Sequence, residues 1–148
     1  MIDLKSIHEM WAKDCIIDEM KLDESSRQAP IIHSKYLELL STVKLQLKRA
    51  EFNQKTLLKQ KWLYYNGKMD QETVVELGWG PDPFNGLKIL KGELDYYYDS
   101  DPEIQKSEEK IQYYKATIET LTEILNNITW RHQTIKNMIE WKKFQSGN

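Results

Sequence analysis

Cationic and aromatic side chains are concentrated in one short run near the middle of the chain. The members are Lys59, Lys61, Lys68, Trp62, Tyr64 and Tyr65. Ammonium groups neutralise phosphates, and aromatic faces stack on unpaired bases without reading their sequence. The run therefore indicates a surface for single-stranded nucleic acid, with Lys55 one turn earlier as a further candidate. The same spacing also fits a helix whose aromatic rings are core and whose lysines are simply solvated.

Net charge is distributed unevenly along the 148 residues. The total is −2, yet residues 31–68 carry +6, whereas residues 1–30, 69–110 and 111–148 carry −3, −7 and +2. Only the local field matters to a polyanion, so a near-neutral total does not exclude nucleic-acid binding. The acidic block 69–110 is expected to stay off nucleic acid and to serve protein contacts.

Other site chemistry finds little support in the sequence. Cys15 is the single cysteine, the three histidines are scattered, and no phosphate-binding GxxxxGK[ST] motif occurs. Asp99, Asp101 and Glu103 resemble the start of a calcium loop, but Ile104 replaces the required glycine. We therefore expect no catalytic residue, no metal site and no cofactor.

Periodicity predicts a mainly α-helical single domain, 1–148, that positions the basic run at a helix end. Residues 3–14 fit a short amphipathic helix with Asp3 as its N-cap, and 18–29 read as a polar connector. A long helix is predicted over about 30–65, from Pro30 to the Asn66-Gly67 stop. Residues 66–101 form an irregular connector, with a short helix near 70–77 and Trp79 and Phe84 as anchors. Residues 87–98 fit either a helix or two short strands, and we favour little regular strand.

A second long helix is predicted over about 102–144, with Ser100 or Asp101 as its cap and Pro102 in its first turn. Its apolar residues step 3-4-3-4 as in a coiled-coil seam, interrupted by His132. One exposed helix cannot bury such a seam, so its partner is the first long helix, another copy of the chain, or both. The predicted oligomerisation residues are Ile111, Ile118, Leu121, Leu125, Ile128, Ile135 and Ile139.

Several runs of residues carry a resemblance to a known protein family. They are Ile17-Asp18, Lys21-Leu22, His33-Ser34-Lys35-Tyr36-Leu37, the run 58–67 and the ending 134–147. In this order, and over nearly the whole chain, they resemble the UvsY recombination mediators of T-even-like phages. The family's basic motif reads Leu-Lys-x-Arg before Tyr-Tyr-x-Gly, and this chain has Lys61 at the arginine position. Positive charge is kept there, but a bidentate guanidinium is lost.

The resemblance implies a non-enzymatic mediator that binds single-stranded DNA as a ring-like homo-oligomer of about six or seven subunits. It implies further partners: a RecA-like phage recombinase, and the single-strand-binding protein that the recombinase must replace. The expected location is the cytoplasm of the infected bacterial host, away from membranes. Two alternatives remain open: a coiled-coil scaffold without DNA affinity, and an enzyme subunit whose active site a partner completes.

Overall fold

The computed structural model describes residues 3–84 and 86–147, and within these ranges every regular element is an α-helix. The mainly α prediction is therefore confirmed. The helices are α1 (Leu4–Asp14), α2 (Leu22–Tyr65), α3 (Gln71–Glu76), α4 (Leu94–Ser100), α5 (Pro102–Thr129) and α6 (Arg131–Gln145). They pack as two compact units: a first unit of residues up to Leu45 and from Lys115 onward, and a second unit of residues 46–114.

Helix α1 forms where the amphipathic pattern predicted it. The Asp3 carboxylate accepts a hydrogen bond from the Ser6 amide at 2.7 Å, which satisfies one of the free N–H groups of the first turn. Ile7 is completely buried in the first unit, and the Trp11 ring meets the Tyr36 ring edge-on at 5.7 Å. The Tyr36 hydroxyl donates to Asp14 at 2.8 Å, so α1 and α2 are joined by both apolar and polar contacts.

Helix α2 begins earlier than predicted. It starts at Leu22, and Pro30 lies inside it, so the reading of residues 18–29 as a connector is wrong beyond Lys21. Pro30 has no N–H and leaves one carbonyl of the preceding turn without its helical donor. Asp23 and Glu24 in the first turn favour the earlier start, because carboxylates are stabilised at a helix N-terminus.

The end of α2 is where the sequence placed it. Gly67 adopts a φ of 66°, a left-handed conformation that favours glycine. The Gly67 amide donates to the Tyr64 carbonyl at 3.2 Å, and the Lys68 amide to the Leu63 carbonyl at 2.8 Å. This hydrogen-bond pair is a Schellman motif, which ends the helix and turns the chain back.

The predicted second long helix is interrupted. Helix α5 ends at Thr129 and α6 starts at Arg131, with Trp130 between them at φ −88° and ψ 1°. The prediction of one continuous helix over 102–144 is therefore wrong at this point. The Thr129 hydroxyl donates to the Leu125 carbonyl at 2.9 Å beside the break, but Thr122 makes the same bond to Ile118 inside α5, so this bond alone does not interrupt the helix.

Residues 66–101, the connector of the second unit, are held by a helix N-cap and by contacts between aromatic rings. Asp70 caps α3 by accepting from the Thr73 amide at 3.2 Å, and residues 94–100 form helix α4. Trp79 packs on Tyr64 with ring centroids 5.2 Å apart, which confirms the prediction that Trp79 anchors the connector. Phe84 packs on Tyr97 at 4.8 Å, which confirms the second predicted anchor. Within residues 3–84 and 86–147, none of the helices combines the length and the apolar composition that a membrane span requires.

Candidate nucleic-acid interface

One face of α2 in the second unit presents cations beside an aromatic ring. Lys55, Lys59 and Trp62 are spaced four and three residues apart, which places them on the same side of the helix. All three side chains are exposed, and Trp62 keeps 39% of its surface accessible although it is a large apolar residue. Among the residues that the structure describes, neither Lys55 nor Lys59 is ion-paired. Their charges are therefore available to an external anion.

Lys68 joins this face from outside the helix. The Gly67 turn brings its ammonium to 4.7 Å from the centroid of the Trp62 ring, a cation–π geometry. Lys68 is itself exposed, so its charge remains open to solvent. The turn thus gathers Lys55, Lys59, Trp62 and Lys68 on one accessible surface, which we call the basic face.

Lys61 lies elsewhere, although the sequence grouped it with Lys59. The residue is buried, with 5% of its surface exposed, and its ammonium lies 3.1 Å from Asp101 and 3.3 Å from Glu103. The same ammonium stands 3.9 Å above the Trp79 ring centroid. In this arrangement the charge of Lys61 is already neutralised inside the second unit, in a site that a phosphate does not reach.

Tyr64 and Tyr65 also form their contacts inside the protein. The Tyr64 hydroxyl donates to the carbonyls of Gly80 and Pro81 at 2.9 and 3.2 Å, and its ring packs on Trp79. The Tyr65 hydroxyl donates to Asp101 at 2.6 Å. Burial, and then this hydrogen bond, raise the pKa of Tyr65 well above its ordinary value. Both tyrosines thus hold the connector against α2 and leave little ring surface for a base.

Asp101 is the centre of this buried network. Burial opposes its ionisation, but hydrogen bonds from Tyr65 and the Ile104 amide, with the ammonium of Lys61, outweigh burial and lower its pKa. One carboxylate oxygen accepts from the amides of Glu103 and Ile104 at 2.9 and 3.1 Å, which caps α5 as predicted. The other oxygen accepts a hydrogen bond from the Tyr65 hydroxyl and forms an ion pair with the Lys61 ammonium. Asp101 therefore fixes α2 to the first turn of α5.

Most of the predicted oligomerisation residues are buried within the single chain. The buried members are Ile111, Leu121, Leu125, Ile128 and Ile135. Ile118 is half-buried and Ile139 is 39% exposed. Large exposed apolar side chains occur along the whole chain, and two of them, Trp141 and Phe144, stack on each other in α6 with centroids 5.5 Å apart. Trp130 and His132 form a second exposed stack at 6.2 Å.

Residues 3–84 and 86–147 contain no cluster of His, Cys, Asp or Glu side chains that could bind a metal ion.

The sequence model of the family described as "Recombination, repair and ssDNA binding protein UvsY" matches residues 10–148 of this chain. The chain belongs to the UvsY family. The resemblance drawn from the basic motif and the C-terminal run is thereby confirmed.

One relative and two solved structures are similar to this chain over nearly its whole length. The chain is 26% identical over 144 residues to the recombination protein uvsY of Enterobacteria phage T4, covering 97% of this chain and 98% of that protein. Two crystal structures of the bacteriophage T4 recombination mediator protein UvsY share the fold. The lattice type II structure has a TM-score of 0.83 at 23% identity, covering 99% of each chain. The lattice type I structure has a TM-score of 0.81 at 24% identity, covering 95% of this chain and 98% of that one.

The sequence analysis missed the inward orientation of Lys61 and its ion pairs. Only the orientation could have been read from the sequence, in the spacing of the apolar residues of α2. The apolar stripe of α2 runs Tyr36, Leu40, Val43, Leu47, Ala50, Gln54 and Leu57 in alternating steps of four and three. One further step of four reaches Lys61, which therefore belongs to the inward face and not to the face of Lys59. The second feature, the pairing of Lys61 with Asp101 and Glu103, has no local signal, because these carboxylates lie about forty residues away.

Proposed function

We propose that this UvsY-family protein is a recombination mediator whose basic face binds single-stranded DNA. The observation that carries the proposal is the set of unpaired, exposed lysines beside the exposed Trp62 ring. Lysines of this kind gain affinity by releasing counterions from phosphates, and an exposed ring offers a stacking surface to any base. Both contacts are independent of base sequence, as a protein that acts anywhere along a strand requires.

The seven candidate DNA-binding residues divide into two groups in this proposal. Lys55, Lys59, Lys68 and Trp62 contact the strand directly. Lys61, Tyr64 and Tyr65 hold the connector and the cap of α5, because their polar groups are engaged with Asp101, Glu103 and the loop carbonyls. The second group therefore supports the basic face without touching phosphate.

The proposed mediator acts as a ring-like homo-oligomer joined through its C-terminal helix. The exposed Trp141 and Phe144 stack, with Ile139 on the same helix, supplies apolar surface that a neighbouring subunit can cover. Several linked copies of one weak site raise the effective DNA concentration, so avidity exceeds single-site affinity. The buried seam residues from Ile111 to Ile135 serve the fold of each chain in this proposal.

The proposed partners are a RecA-like recombinase and a single-strand-binding protein that it displaces. The connector of the second unit offers a protein-binding surface, with exposed Leu87, Leu90 and Tyr96 inside the acidic block. Negative charge keeps this segment away from the strand, while apolar side chains favour a protein contact. Binding strand and recombinase together lowers the free energy of the loaded filament.

Fluorescence anisotropy of a labelled oligothymidylate tests the DNA-binding proposal. The double variant Lys55→Ala with Lys59→Ala should weaken binding, and the slope of log K against log salt should shrink by about 0.7 per lost contact. Lys106→Ala with Lys110→Ala is the matched control, since both lysines are exposed on a helix with the same spacing of four. Equal weakening by the two double variants would refute the basic face as the binding site, and a wild type without measurable affinity would leave the DNA-free scaffold as the better explanation.

Mediator activity has its own assay. The wild-type protein should shorten the lag before a RecA-like recombinase hydrolyses ATP on DNA already coated with single-strand-binding protein. Lys55→Ala with Lys59→Ala should lose this effect in proportion to its loss of DNA affinity. Nucleotide turnover by the purified protein alone would instead favour an enzyme subunit.

A further inference from the structure

Phe52 continues the basic face toward the start of the second unit. Residues Lys48, Phe52, Lys55, Lys59 and Trp62 follow spacings of four, three, four and three, so they share one side of α2. Phe52 keeps 49% of its surface exposed, a large fraction for a residue without any polar atom in its side chain. Phe52 is not among the DNA-binding residues that the sequence predicted.

Two cations bracket the Phe52 ring. The ammonium of Lys48 lies 5.2 Å from the ring centroid and that of Lys55 lies 5.9 Å from it. Lys48 also approaches Glu51 at 3.9 Å, with 61% and 35% of the two side chains exposed. Exposed pairs of this kind contribute little free energy, so Lys48 can exchange that carboxylate for a phosphate.

The arrangement at Phe52 repeats the one at Trp62. Each ring is exposed and has a lysine ammonium near its centroid, and the two rings are ten residues apart on one helix face. At a rise of about 1.5 Å per residue, the two rings are separated by about 15 Å along the helix. Lys55 and Lys59 lie between them, so two cations separate the two rings over this distance.

We propose that Phe52 is a second base-stacking position and Lys48 a further phosphate contact, so that the strand runs from Lys68 along α2 to Lys48. This inference rests on the proposed function and extends its site. A single-stranded nucleic acid fits better than a protein, because isolated rings between cations match a chain of alternating bases and phosphates. A protein-binding patch would present contiguous apolar surface with little charge at its centre.

The test compares ring chemistry at Phe52 across oligonucleotides of increasing length. Phe52→Leu keeps apolar volume but removes the aromatic face, whereas Phe52→Trp keeps a face. Phe52→Leu should weaken binding of long oligothymidylates by about five- to 150-fold, the range for one stacked base. The shortest oligonucleotides, which reach Trp62 alone, should bind the Phe52→Leu variant and the wild type with equal affinity. The Phe52→Trp variant should retain full affinity at every length.

Tyr96→Leu is the matched control, because it removes an exposed ring (74% accessible) from the acidic block of the same unit. If Phe52→Leu binds every length like the wild type while Lys55→Ala with Lys59→Ala binds weakly, the second stacking position is wrong and the proposed function stands. Equal weakening at all lengths would also overturn the inference, since it would show that Phe52 acts on the whole surface. A wild type without DNA affinity would refute the proposed function itself.

Discussion

The ammonium of Lys61 and the carboxylate of Asp101 lie 3.1 Å apart in the second unit, with only 6% and 2% of the two side chains exposed. The pair joins the last turns of α2 to the N-terminus of α5, because Asp101 also caps that helix. Glu103 and the Trp79 ring complete the surroundings of the ammonium. The two lysines of the basic motif therefore have different environments, although a single residue separates them.

We expect Lys61→Ala to destabilise the protein strongly and Lys59→Ala to leave its stability nearly unchanged. Removing one partner of a buried ion pair leaves an uncompensated charge and costs about 3–5 kcal/mol. Lys59 is exposed, and alanine is a good helix former. Urea unfolding followed by circular dichroism measures both variants. A Lys61→Ala protein with wild-type stability and a reduced salt slope of DNA binding would make Lys61 a phosphate contact instead.

Acid should weaken the same network. The folded-state pKa of Asp101 is lowered from 3.8: burial acts against this shift, but hydrogen bonds from Tyr65 and Ile104 and the charge of Lys61 dominate. A lowered folded pKa contributes stability that is complete above the unfolded value and is lost as pH falls through the folded value. Thermal unfolding from pH 6 down to about pH 2 should show this loss in the wild type. Asp101→Asn should be less stable at pH 6 and less sensitive to acid; equal acid sensitivity would argue against Asp101 as the responsible group.

The sequence predicted the features of the fold that depend on local chemistry. Asp3, Gly67 and Asp101 each end or cap a helix through side-chain or backbone rules that act within a few residues. It failed at Pro30, which was read as a first-turn residue, because the helix already begins at Leu22 and continues through the proline. It failed at Trp130, because the helix is interrupted there without a glycine or proline that would mark the position in the sequence.

The candidate site was predictable in composition, and its orientation was predictable only in part. The basic run gave the correct helix end, yet only the inward stripe of α2 separates Lys61 from Lys59. The cation–π pairing of Lys68 with Trp62 depends on the geometry of the Gly67 turn. The carboxylates that neutralise Lys61 come from a distant segment, so no local pattern could assign them.

The C-terminal helix provides a prediction about assembly. Trp141→Ser with Phe144→Ser should reduce oligomer mass while leaving the helical content of each chain unchanged, because both rings are exposed. Ile128→Ala should instead lower stability by about 2–5 kcal/mol, the usual effect of emptying a core site, since Ile128 is buried. Sedimentation velocity and urea unfolding separate the two effects. An unchanged mass for the double serine variant would exclude this stack as a subunit contact.

The roles of Trp62 and Lys59 in DNA binding can be separated by salt. Lys59→Ala removes a charge, so the slope of log K against log salt should shrink by about 0.7 per engaged subunit. Trp62→Ala removes a stacking face and no charge, so affinity should fall by roughly 1–3 kcal/mol per stacked base while the slope stays nearly constant. Trp62 is 39% exposed, and little loss of thermal stability is expected when it is replaced. Anisotropy titrations at four or more salt concentrations, with thermal unfolding of each variant, measure both quantities. A Trp62→Ala protein that unfolds at much lower temperature and binds DNA normally would make Trp62 a packing residue and leave the lysines alone as the strand contacts.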